Sequence, residues 1–264
     1  MSEFRTEKDS MGEVKVPTWA LYQAQTQRAV NNFPISGITQ KRNVIKALGI
    51  IKKAAAKANL ELKLIDKEIS ELIVEAAQEV IDGKLDKHFP IDIYQTGSGT
   101  SSNMNTNEVV SSRANQLAKE KGQDTFVHPN DHVNFGQSSN DVYPTALRIA
   151  AVISINEIFF PGLETLKKSL LSQAKKNAHI AKTGKTHLMD AMPVTFEQVF
   201  GGYAHQVEMG LTRVNSVMER ISELPQGGTA VGTGINTHEK FGKKFAAQVS
   251  KETGYNFSEA SNHF

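Results

Sequence analysis

Residues Gln95 to Glu108 (QTGSGTSSNMNTNE) alternate glycines with hydroxyl side chains, then continue into asparagines, between an apolar run and a helical pattern. Glycine lets a backbone approach a ligand closely, and Ser and Thr are favoured at helix starts. A helix start also presents unpaired N–H groups and the positive end of the macrodipole. Such a place suits a small anion, a carboxylate as well as a phosphate. Taken alone, such a turn reads first as an elaborate helix cap with no ligand.

A second cluster, Gln137-Ser138-Ser139-Asn140-Asp141, repeats that design. Two such helix starts point to a ligand with two carboxylates, each needing its own donors. In His128-Pro129-Asn130-Asp131-His132 two imidazoles lie four residues apart with a carboxylate between them, a spacing that allows a metal site. Pro129 and the Asx residues instead favour a turn whose donors hold an anion, and no metal is expected. In Gly184-Lys185-Thr186-His187-Leu188-Met189-Asp190, His187 is the natural proton handler, because an imidazole titrates near neutral pH. Its setting between a glycine turn and a helix favours it over His88, His179, His205 and His263. The loop Gln226 to Asn236, rich in Gly and Thr, reads on its own as a flexible linker.

The elements that position these clusters are mostly helical. Up to about Pro34 the chain reads as irregular, with short alternations such as Val14-Lys15-Val16. From Lys41, Val44, Leu48, Ile51, Ala55 and Ala58 share one helix face. A second helix is expected from Asp66 as N-cap to Gly83, and a third from about Ser102 to Lys121, stopping at Gly122. Asn140 opens a long helical stretch, with Pro144 tolerable in its first turn. Ala146 to Phe160 is almost wholly apolar and is expected to be buried on all sides in a bundle, with a kink or break at Pro161-Gly162. A further helix is expected over Thr195 to Leu224. Strand patterns are few, and the fold class expected is mainly α: a mixed N-terminal domain over 1–137, then a long-helix bundle over 138–264.

Composition narrows the function classes. Thirty basic residues against 28 acidic give a net charge of +2, which suggests neither nucleic acid nor a membrane surface as partner. The absence of cysteine removes disulfides, thiolate metal sites and a Cys nucleophile. No apolar run approaches the roughly 20 residues that span a bilayer. Met1 to Asp9 is charged and lacks an apolar segment, unlike a secretory signal, so the expected location is the cytoplasm.

Taken in order, the five clusters resemble the fumarase/aspartase superfamily, and most closely its class II fumarate hydratases. The resemblance begins at Ala24-Gln25-Thr26-Gln27-Arg28 and Asn32-Phe33-Pro34 and runs to the Gly-Gly-Thr-Ala-Val-Gly-Thr-Gly loop, nearly the whole chain. The neighbouring aspartate ammonia-lyases carry glutamine at the position of His187, so Thr186-His187 favours the hydratase branch.

The resemblance implies reversible anti addition of water to fumarate, giving L-malate, with no cofactor. It implies that Ser98, Gly99, Thr100, Ser138, Ser139, Asn140 and Thr186 hold the substrate carboxylates and that His187 handles the water as acid and base. His128, Pro129, Asn130 and Asp131 match the family's accessory anion site, and Asn105 and Asn236 would support the pocket. It further implies a homotetramer with each active site shared among subunits. The family's Gly-Ser-Ser loop, which supplies the base serine, and the Met-Pro-x-Lys-x-Asn run have no counterpart here. The chain is therefore expected to be an N-terminal portion of a longer enzyme, inactive alone, with the bundle truncated at its C-terminal side. Gln23, where many members have glycine, and Thr125, where some have arginine near the accessory site, depart from the pattern. An ammonia-adding lyase and a catalytically incomplete assembly or anion-binding module are the competing expectations.

Overall fold

The computed structural model describes residues 3–9 and 11–264. The chain opens with an antiparallel hairpin, β1 (Phe4–Asp9) and β2 (Gly12–Pro17), paired from Phe4↔Pro17 to Asp9↔Gly12. The Val14–Val16 alternation is thus half of a hairpin rather than irregular chain, and Val16 is fully buried. A short helix follows, α1 (Ala24–Asn32).

Three longer helices build the first core: α2 (Arg42–Glu61), α3 (Lys67–Ile81) and α4 (Thr100–Glu120). Their apolar faces recur every three or four residues, as the sequence suggests. Ile45, Leu72, Ile73, Val80, Val109, Val110, Ala114 and Leu117 pack together there with Val16. Close approach of α2 to α3 depends on Gly49, where a Cβ would lie 3.0 Å from Ile81 and 3.1 Å from Val80. Gly83 and Gly122, both at positive φ, lie just past the ends of α3 and α4, where glycine is favoured. A single π turn, Pro129–Val133, occupies the histidine cluster.

Next, α5 (Ser139–Ser154), a π turn (Ile155–Phe159) and α6 (Phe160–Lys176) form one continuous helix of 38 residues. Pro161 therefore does not break the helix. It has no N–H for a regular bond, and the wider π turn just upstream absorbs the mismatch. Pro144 lies in the second turn of α5, not the first, and has no N–H to offer the carbonyl of Asn140.

A second antiparallel hairpin, β3 (Ala181–Thr186) and β4 (Met189–Thr195), was not expected from the sequence. It is interrupted between Thr183 and Lys185 by a register shift at Gly184, where a Cβ would lie 2.7 Å from the carbonyl oxygen of Met192. After it, α7 (Phe196–Asn215) starts at Thr195 with a reciprocal capping box to Gln198. The helix stops well before Leu224. A short turn, α8 (Met218–Ile221), leads to β5 (Glu223–Leu224), then α9 (Phe241–Thr253), and β6 (Ser258–Glu259), which pairs in parallel with β5.

The chain forms two compact units: residues 1–150 with 222–264, and residues 151–221. In the first, α9 packs on α2, and Lys53 Nζ lies 2.6 Å from Glu252 Oε1. In the second, α6 and α7 pack against each other around Ala174 and Ala204. The expected all-round burial of Ala146 to Phe160 does not hold within this chain. Leu147 is 46% exposed, Ile158 71% and Phe159 42%. By length and composition alone this helix is long and apolar enough to cross a membrane.

Candidate functional site

Two hydroxyl-rich helix starts meet in the first unit. Gly99 is the N-cap of α4, at φ 75°, where side chains other than glycine's are strained. It is also covered: a Cβ there would lie 2.0 Å from the ring of Tyr143, whose hydroxyl accepts from Gln40 Nε2 at 3.0 Å. Gln95 folds back over the same turn, accepting from the Ser102 amide at 2.8 Å and donating to Ser102 Oγ at 2.6 Å. Ser98 Oγ lies 3.0 Å from Thr100 Oγ1, which in turn lies 2.9 Å from Ser139 Oγ. The first and second clusters, 39 residues apart in sequence, are thus in direct hydrogen-bond contact.

Asp141 organises the second of these starts. Its Oδ1 accepts from the Ser138 amide at 2.9 Å, and its Oδ2 accepts from the amides of Gly227 (3.1 Å) and Thr229 (2.9 Å). Asn140 Nδ2 donates to the Ala230 carbonyl at 2.7 Å. The Gln226 to Asn236 loop is consequently not a free linker. One buried carboxylate and one amide tie it to the start of α5. Burial pushes the Asp141 carboxyl up, against the lowering effect of these bonds and of Lys52.

Glu108 and Lys52 are among the buried charged residues that were not singled out in the sequence. Glu108 on α4 accepts from the amides of Gln23 (2.8 Å), Gln25 (2.9 Å) and Thr26 (3.1 Å) and from Thr26 Oγ1 (2.5 Å). It caps the start of α1 from another helix. Lys52 is fully buried, and its ammonium donates to Asn103 Oδ1, Asn134 Oδ1 and Gln137 Oε1 at 2.8, 3.0 and 3.0 Å. The pattern contained a trace of it: Lys52 follows Leu48 by four residues and so lies on the apolar face of its helix.

In the histidine cluster the imidazoles serve the backbone. His128 Nδ1 accepts from the amides of Asn130 (3.3 Å) and Asp131 (3.1 Å), and His132 Nδ1 accepts from the His128 amide at 2.9 Å. Burial lowers the His132 pKa, with Asp131 opposing. His128, Pro129 and Asn130 border a cavity of about 220 Å³ shared with Gln23, Asn107 and Glu108. Both side-chain polar atoms of Asn107 are buried without a hydrogen-bond partner among the described residues. Asn105 is spoken for: its Nδ2 donates to the His88 carbonyl at 2.9 Å. Asn236 is exposed and sits at positive φ, 64°.

Thr186 and His187 belong to the second unit, on the exposed turn of the β3–β4 hairpin. His187 (φ 50°) and Leu188 (φ 63°) both adopt the left-handed region. Two-residue hairpin turns of this kind normally carry Asn-Gly or Asp-Gly. Holding His and Leu there costs on the order of 1 kcal/mol each, a strain of the kind found at functional positions. Among the described residues no three His, Cys, Asp or Glu side chains form a metal-holding group.

A helix-rich chain whose hydroxyl-bearing helix starts converge in this way has clear relatives. The family profile described as "Lyase" matches residues 12–264, and the chain belongs to that lyase family, with a mainly α, fumarase/aspartase-like fold. Over 265 residues it is 56% identical to "Fumarate hydratase class II" of Halobacterium salinarum, covering 100% of this chain and 56% of that protein. It is 50% identical to "Fumarate hydratase, mitochondrial" of Homo sapiens, covering 100% of this chain and 52% of the relative. The crystal structure of recombinant class II fumarase from Schistosoma mansoni superposes with a TM-score of 0.94 at 36% identity, over 99% of this chain and 58% of that one. The chain thus spans a little over half the length of the curated relatives it matches.

Proposed function

We propose that the protein carrying this chain adds water reversibly to fumarate, forming L-malate. The observation that carries this reading is the Ser98–Thr100–Ser139 hydroxyl chain, which unites two helix starts suited to carboxylates. The names of the relatives, of whose length this chain spans a little over half, support it. In this reading Ser98, Gly99, Thr100, Ser138, Ser139, Asn140 and Thr186 bind the two carboxylates. Removal of the C3 proton of malate would build negative charge on the adjacent carboxylate, and fixed hydroxyl and amide dipoles stabilise such charge without reorganising. His187, solvent-facing at a strained turn, is the acid and base for the water. His128, Pro129, Asn130 and Asp131 form an accessory anion site, for which the inward-facing amides of that turn would have to be released from His128.

We assign a homotetramer, in which the exposed apolar faces of α5 and α6 are covered by other copies and each active site draws on several of them. In the full protein we assign the 1–137 and 138–264 segments to its first two domains, a division along the sequence that differs from the two compact units described above, and we assign the cytoplasm as its location. Turnover tests the reading: loss of fumarate absorbance with formation of malate, measured on this chain and on a polypeptide of its relatives' length. Malate formation by either supports it, and failure of both overturns it. A faster reaction with ammonium than with water would identify an aspartase instead. In the active form, His187→Gln is expected to lower the rate about 100-fold or more; an unchanged rate would make His187 structural.

A further inference from the structure

The geometry points to Lys52 as the positioning residue of the Ser138–Asn140 helix start. Its ammonium has three N–H donors, and three side-chain carbonyl oxygens converge on it from α4 (Asn103) and from the turn before α5 (Asn134, Gln137). Without the ammonium at their centre, Asn103 Oδ1 and Gln137 Oε1 would lose the donor that pairs them in a largely buried site. The surrounding amides leave little freedom. Asn103 Nδ2 donates to Asn134 Oδ1 at 3.2 Å, and Gln137 Nε2 donates to the carbonyls of Val133 (3.1 Å) and Phe135 (3.3 Å).

The decisive bonds hold one peptide plane from both sides. The Gln137 carbonyl accepts from Asn134 Nδ2 at 3.1 Å, while the next amide, that of Ser138, donates to Asp141 Oδ1 at 2.9 Å. Lys52 fixes Asn134 and Gln137, and so orients the peptide that launches Ser138, Ser139 and Asn140. Through Asn103 it also holds α4 one turn beyond Thr100, whose hydroxyl meets Ser139. A fully buried ammonium is a costly way to gain stability alone, but its three N–H donors orient three acceptors at once. Lys52 touches no hydroxyl of the cradle itself, so its action is indirect.

This assignment rests on the carboxylate-binding reading above, and its test separates the two. Amide hydrogen exchange is measured on this chain with Lys52→Met and with Gln137→Met, which keeps the ammonium and removes one of its acceptors together with that amide's own bonds to Val133 and Phe135. Exchange at Ser138 to Asp141 is expected to quicken about tenfold or more in both, while Val109 and Val110 in the α4 core stay protected. Unchanged exchange at Ser138 to Asp141 overturns the assignment, whether or not fumarate is turned over. Should Lys52→Met unfold throughout, the folded Gln137→Met chain decides on the same criterion. In the active form, both variants are expected to raise the KM for fumarate about tenfold with kcat changed less than about threefold, the pattern of lost substrate binding. An unchanged KM with a folded variant overturns it equally. A wild type without turnover sinks the hydratase reading alone, and the exchange result still judges Lys52.

Discussion

Gly99 shows most sharply what single residues contribute. Its φ of 75°, and the Tyr143 ring only 2.0 Å from where a Cβ would stand, leave no room for alanine. Gly99→Ala is expected to destabilise the chain by about 1–3 kcal/mol, read from urea denaturation; undiminished stability would mean that Tyr143 moves aside freely. Lys52 makes a pH-dependent prediction. Burial pulls its pKa from 10.5 to about 7, with only Asp141 opposing as a charge; below about pH 7 the ammonium donates to all three neutral oxygens of Asn103, Asn134 and Gln137, and above it the amine keeps donors for two. Between those values the unfolded chain binds more protons than the folded one, so stability rises with pH across that window. The slope approaches about 1.4 kcal/mol per pH unit, and Lys52→Met is expected to abolish this contribution. Denaturation curves for the two proteins that stay parallel from about pH 7 to about pH 9 would show that the lysine remains charged when folded. Such buried charges were poorly legible in the sequence, because a lysine or glutamate within a helical pattern reads as solvent-facing until its acceptors are located.

Among the elements, the helices were legible and the hairpins were not. α2, α3 and α4 follow the 3.6-residue apolar period, and α3 and α4 end at glycines, both local properties. β3–β4 is nearly all exposed, so it lacks the buried alternate face that marks a strand. The Thr195–Gln198 capping box shows how local chemistry starts α7 directly after that hairpin. Thr195→Ala is expected to cost about 1 kcal/mol, seen as a lowered Tm. An unchanged Tm would mean that packing of α7 on α6, not the cap, sets this helix start. The π turn at Ile155–Phe159 escaped the sequence for a related reason: Pro161 marks a disturbance, but whether a helix breaks or widens depends on what packs beside it.

For the molecule as a whole, the apolar helix around Ile158, Phe159, Leu166 and Leu171 is exposed in a single chain, an area that ordinarily marks an association surface. Under the tetramer reading, the particle mass from light scattering is expected to exceed that of one 29.0 kDa chain, and Ile158→Glu is expected to lower it. A monomer in the wild type would contradict that assembly. The sequence alone determined the helical character, the hydroxyl-and-glycine helix starts and the ligand chemistry they suit, since these depend on residues within a few positions of one another. Tertiary structure alone decided that Thr100 meets Ser139, that Asp141 holds the glycine loop, and that Lys52 and Glu108 are buried hubs. Those contacts join residues 39 to 88 positions apart, and only chain packing brings such distant groups within hydrogen-bond range.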